Sequence, residues 1–179
     1  MKSRNKKAVN LEQLDEIVPF QQKDLVKNTT SFDGACLAFC TMFFKERNLF
    51  SANANRNVLL QRSINEQDQI IQHIKDGEPE ETYAYRSQGK STDIILTTPA
   101  KIAEVLEDKQ DAIVTFPTTS GERHAVAFAQ RSKNCAVFDP NRFYAEGKGN
   151  ICAEVLQTLV QKDAASVDSI VSITTPQKK

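Results

Sequence analysis

The sequence is short of the features that would place it in several broad classes. Its formal charge cancels, with 23 Lys and Arg against 23 Asp and Glu, so no bulk attraction to nucleic acid or anionic lipid is expected. No apolar run approaches the roughly 18 residues that a membrane helix needs, so no membrane span is expected. The start, "MKSRNKK", is basic, but the apolar segment of a secretory signal peptide does not follow it. A solvated basic tail is the expectation there. Repeats and long linkers are also missing. Cysteine is limited to Cys36, Cys40, Cys135 and Cys152. Without a signal peptide, these are expected to be free thiols in a reducing compartment. A structural zinc site usually joins two closely spaced ligand pairs, and only Cys36 and Cys40 are close, so no metal or other cofactor is expected. The stretch "GKST" at 89–92 looks like the end of a phosphate-binding loop. The first glycine of such a loop would fall at Ala84, however, and the following "IILTT" reads as a strand.

What is present is one ordinary domain of 179 residues, 40% hydrophobic and 26% charged. "NLEQLDEIVPFQQKDLVKN" (10–28) has helical periodicity on both sides of Pro19, which predicts two short helices or a helix and an irregular arm. In "TTSFDGACLAFCTMFFKERNLF" (29–50), Asp33 and Gly34 read as a helix entry and 35–48 as the helix. Leu37, Phe39, Cys40, Met42, Phe43 and Phe44 make it apolar nearly all round, the pattern of a helix buried on most faces. An amphipathic helix is expected over 56–76, a polar loop or lid over 78–93, and a helix over 98–110. Three apolar runs then follow in 111–140, separated by "TTSG" and "RSKN", as in an antiparallel meander. A helix over 150–163 and a strand over 167–175 close an α+β chain. The expected division is an arm and helix over 1–28, a catalytic unit over 29–175 and a tail over 176–179.

The histidines are as scarce as they are informative. His73 lies on the predicted helix of 56–76, where a surface or satisfied core role is ordinary. His124 opens the second run of the meander, and Asp139 closes the third. If the turn between these runs is centred between Ser132 and Lys133, Gln130 faces Cys135 and Val126 faces Asp139. That register makes His124 and Asp139 diagonal neighbours on one sheet face, within side-chain reach. A slip of one residue would separate them. A carboxylate that orients an imidazole is chemically useful when a nucleophile stands beside it. Cys36 fits that part because it sits in the first turn of the buried helix, where unpaired N–H groups and the helix dipole favour a thiolate. Cys40 is one turn deeper, where burial favours the inert thiol. Taken singly, a cysteine in an apolar helix is ordinarily a small hydrophobe and an aspartate before proline an ordinary turn former. It is the conjunction that points to chemistry.

"DGACLAFC", "RHAVAF" and "VFDPN" together resemble the papain-like cysteine proteases of the YopT/AvrPphB type, which are bacterial effectors delivered into host cells. The resemblance implies a papain-like α+β fold, with the cysteine on a central buried helix packed against an antiparallel sheet. It also implies Cys36 as nucleophile, His124 as base and Asp139 as the residue orienting it. One oxyanion donor would be the Cys36 backbone N–H. The family's side-chain donor lies five or six residues before the cysteine, where this chain has Ser31 and Thr30, and Asn28 is the remaining candidate. The implied partner is a host protein and the implied route is from bacterial cytoplasm to host cytoplasm. Related effectors with the same triad deamidate glutamine instead of cutting a peptide bond, and both reactions pass through a thioacyl enzyme. A catalytically inactive binding module on the same scaffold is a third reading. Bacteriocin-leader peptidases share the cysteine and "H…DP" arrangement, but their glutamine-to-cysteine motif is absent here.

Overall fold

The structure is a computed structural model and describes residues 13–26 and 35–177. At its centre is a seven-stranded sheet in the order β1-β6-β5-β4-β3-β7-β2, antiparallel throughout. Its strands are β1 (Leu14–Pro19), β2 (Thr92–Thr97), β3 (Asp111–Pro117), β4 (Arg123–Gln130), β5 (Asn134–Asp139), β6 (Phe143–Lys148) and β7 (Val171–Pro176). Helices α2 (Cys36–Lys45), α3 (Arg56–Lys75) and the short α4 (Tyr83–Arg86) belong to one face. Helices α5 (Ile102–Leu106) and α6 (Ile151–Asp163) cover the other. The short α1 (Gln22–Val26) follows β1.

Two apolar cores follow from strand alternation, since successive side chains point to opposite faces. Ala125, Ala127 and Ala129 of β4 face α2, whereas Val126 and Phe128 face α6. Alanine on the α2 side lets that helix lie close to the sheet. Leu37 through Phe43 are buried without a break, as the all-round apolar sequence predicts. Around α2, Phe20, Phe39, Phe50 and Phe138 form an edge-to-face cluster, with Phe138 centred 5.0 Å from Phe20 and 4.7 Å from Phe50. Phe138 directly precedes Asp139, so the core fixes the end of β5.

The meander appears where expected and continues into β6, which the sequence reading does not identify. Other expectations are corrected. Residues 14–19, read as helical, form β1, and a bulge between Leu14 and Glu16 breaks its alternation. Leu14 therefore joins the α6 core while Val18 joins the α2 core. Residues 78–93 are only partly a loop, because Tyr83, Ala84 and Tyr85 are buried in α4. Asp33 and Gly34 lie outside the described residues. Among those that are described, no helix is long and apolar enough to cross a membrane.

Free thiols are found at Cys36 and Cys40, but Cys135 and Cys152 form a disulfide. The turn after β6 drops the first turn of α6 onto the start of β5. This brings the two Cα atoms to 5.9 Å, within bridging range. Replacing both residues by serine is expected to lower the unfolding free energy by about 3 kcal/mol, the value for a crosslink closing a loop of this size. Urea denaturation measures it, and an unchanged midpoint would contradict the expectation.

Candidate active site

The end of α2 nearest the strand ends carries Cys36 as the first helical residue, half-buried, while Leu37 to Phe43 behind it are buried in the core. Its predecessor Ala35 donates its backbone N–H to Gln22 Oε1 at 3.2 Å. Gln22 in turn donates from Nε2 to Asn141 Oδ1 at 2.7 Å. One side-chain amide thus ties the entry of α2 to the turn after β5. Sequence reasoning missed Gln22, since it lies in a different segment from the cysteine. Asn28, the side-chain donor considered for the oxyanion, lies outside the described residues, as do Thr30 and Ser31.

The hairpin register is the expected one, with Gln130 opposite Cys135 and Ala127 opposite Phe138. His124 Nε2 lies 2.8 Å from Asp139 Oδ1 in a buried environment. That contact leaves Nδ1 as the other ring nitrogen, and Cys36 lies beside the imidazole on the same cleft. The Phe116 ring stands edge-on to the imidazole at 5.7 Å. The three residues singled out in the sequence therefore meet at one place, although they come from positions 36, 124 and 139.

Asp139 has no exposed surface, and its carboxylate is fully engaged. Oδ1 also accepts the Asn141 backbone N–H at 2.9 Å, and Oδ2 accepts Arg142 Nη1 at 3.0 Å. Arg142 is itself held by Asp163 in the last turn of α6, through Nη1 to Oδ2 and through Nη2 to Oδ1 at 2.8 Å. Burial alone would raise the Asp139 pKa, but these donors and the charges of His124 and Arg142 hold it below its ordinary value. Burial likewise opposes charge on His124, yet its hydrogen bonds to Asp139 and Cys36, and their charges, push its pKa up to about 10. Burial, reinforced by the charges of Cys36 and Asp139, keeps Cys40 a thiol. Its Sγ–H points to the Ala125 carbonyl at 3.5 Å. His73 contacts the Pro79 carbonyl and Thr82 Oγ1 instead, and so braces the turn 79–82.

Cys36 and His124 open into a cleft walled by Glu80, Glu81, Thr115 and Arg123. Arg123 donates to Thr115 Oγ1 at 3.1 Å and stands 4.0 Å from Glu81. Burial and the neighbouring Glu81 raise the Glu80 pKa, while Arg123 opposes them. Glu80 and Glu81 were not legible as cleft walls, because 78–93 reads as a polar loop or lid, whereas the turn that carries them leads into the buried α4. Among the described residues, no group of three His, Cys, Asp or Glu side chains could hold a metal ion.

No family model and no curated protein matches the sequence. In fold, the chain is similar to the crystal structure of the Pseudomonas avirulence protein AvrPphB. The TM-score is 0.60 at 12% identity, over 87% of this chain and 95% of that one. PatoxP, a cysteine protease-like domain of the Photorhabdus asymbiotica toxin PaTox, aligns at TM-score 0.49 and 12% identity, over 90% of this chain and 54% of that chain. A likeness of that size carries no argument. The first likeness shows the fold, which is the papain-like α+β fold expected from the motifs.

Because its folded pKa is raised, His124 contributes stability that is complete below pH 6.5 and is lost as pH rises through about 10. Asp139 behaves oppositely: its contribution is present above its ordinary value of 3.8 and is lost as pH falls through its depressed one. Histidine ring NMR is expected to show His124 still protonated at about pH 8. The Asp139→Asn variant should lower its midpoint toward 6.5. A wild-type midpoint already near that value would contradict the charged pair.

Proposed function

We propose that this chain is a cysteine hydrolase acting on a protein substrate, with Cys36 as nucleophile, His124 as acid and base, and Asp139 as the residue that orients His124. The observation that carries the reading is the buried His124–Asp139 contact of 2.8 Å beside a cysteine at the tip of a buried helix. The fold shared with an avirulence protein supports the further reading of a bacterial effector that works inside a host cell. Proteolysis is the preferred reaction, with glutamine deamidation as its alternative on the same triad.

The steps follow from the ring orientation. Cys36 Sγ attacks the substrate carbonyl carbon, forming the C–S bond and an oxyanion, to which the Cys36 backbone N–H donates. His124 delivers the proton from Nδ1 to the leaving nitrogen as the C–N bond breaks, which leaves a thioester on Cys36. Water then attacks that thioester while His124 takes its proton. The C–S bond breaks, the acyl group departs as an acid, and the Cys36 thiolate and protonated His124 with which the cycle began are restored. Asp139 holds Nε2 throughout and stabilises each imidazolium without taking a proton. An amide bond of the backbone gives proteolysis in this sequence, and a glutamine side chain gives ammonia and glutamate.

The test is mass spectrometry of a host lysate incubated with wild type and with Cys36→Ala. New N-termini that depend on Cys36 are expected. Glutamines converted to glutamate, again dependent on Cys36, would replace protease by deamidase. An effect on host cells that Cys36→Ala retains in full would overturn the enzyme reading in favour of a binding module.

A further inference from the structure

Arg142 is the residue whose placement the triad does not account for. A positive charge on the far oxygen of the orienting aspartate competes with the imidazolium for the same carboxylate, and a simple triad has no need of it. Here it is built in from three directions. Arg142 Nη1 reaches Asp139 Oδ2 at 3.0 Å. Asp163, the last residue of α6, grips the same guanidinium with both carboxylate oxygens. The Arg142 backbone is fixed as well, because its N–H donates to the Asp139 carbonyl at 3.0 Å and its carbonyl accepts the Phe20 N–H at 3.0 Å. A planar guanidinium shared between two carboxylates has a defined orientation that a lysine ammonium lacks.

We propose that Arg142, clamped by Asp163, is a positioning residue that fixes the rotation of the Asp139 carboxylate, so that Oδ1 stays on His124 and the group stays ionised without solvent. The proposal rests on the assignment of Asp139 to the triad. It makes α6, on the opposite face of the sheet from α2, part of the support of the active site. The groups facing Asp139 are His124 from β4, Arg142 from its own turn and Cys40 from α2, with Cys36 at one remove through His124 and Asp163 at one remove through Arg142.

An opposite charge in contact typically lowers a carboxyl midpoint by about 1–3 units. The Asp139 carboxyl carbon, followed by NMR in the whole chain, is therefore expected to titrate about one pH unit higher in Arg142→Met. Arg142→Lys keeps the charge and should shift it less than Arg142→Met. Asp163→Asn leaves the guanidinium but slackens it, and should shift the midpoint in the same direction; it also serves if Arg142→Met fails to fold. An unmoved Asp139 midpoint in these variants overturns the proposal. If that happens while Cys36 reactivity still depends on His124, the triad stands and only the clamp falls. If Cys36 reactivity ignores His124 in the wild type, the triad reading falls and takes the clamp with it.

Discussion

An ionised carboxylate with no contact to solvent constrains everything placed around it. Leaving such a charge unpaired costs several kcal/mol, so each lone pair of Asp139 needs a donor of fixed geometry. The donors come from distant parts of the chain: His124 from the start of β4, the Asn141 N–H from the turn, and Arg142 backed by α6. The turn 140–142 is in turn gripped by Phe20 and Gln22, whose N–H groups donate to Arg142 and Pro140. The aromatic cluster around Phe138 fixes the carboxylate from behind. Strand register, the last turn of α6 and the segment leading into α1 therefore all converge on one residue.

The same physics separates two cysteines of one helix. Cys36 sits at the helix tip, against an imidazole and an open cleft. Cys40, one turn deeper, has no exposed surface and gives its Sγ–H to a strand carbonyl. Position along α2, not the identity of the side chain, sets these two environments. The alanines of β4 bring that helix close enough for its tip to meet the strand that carries His124. The floor of the sheet and the wall at Glu80 and Glu81 then define a cleft whose shape belongs to rigid elements.

Much of this was legible from the sequence because a single symmetric turn set the register of β4 and β5. The pairing of Gln130 with Cys135 followed from "RSKN" lying between two apolar runs, and with it the meeting of His124 and Asp139. The buried α2 was legible from its all-round apolar composition. β1 was not, because its bulge leaves Leu14 and Val18 buried four apart with three exposed residues between them, a spacing that reads as helical. The disulfide was hidden because it depends on β6, and β6 carries Glu146 and Gly147 in the middle of its alternation. α4 was masked by polar flanks around a core of only Tyr83, Ala84 and Tyr85. Arg142 and Gln22 could not be found from spacing, since each bonds to a group whose position only the folded sheet defines.

The central claim is that Cys36 and His124 act as one chemical unit. The most direct measurement is the iodoacetamide alkylation rate of Cys36 relative to Cys40, read by peptide mass spectrometry near neutral pH in wild type and His124→Ala. The account predicts a Cys36 rate far above that of Cys40, falling to that of an ordinary buried-edge thiol when His124 is removed. Equal rates at both cysteines, or a fast Cys36 indifferent to His124, would contradict it.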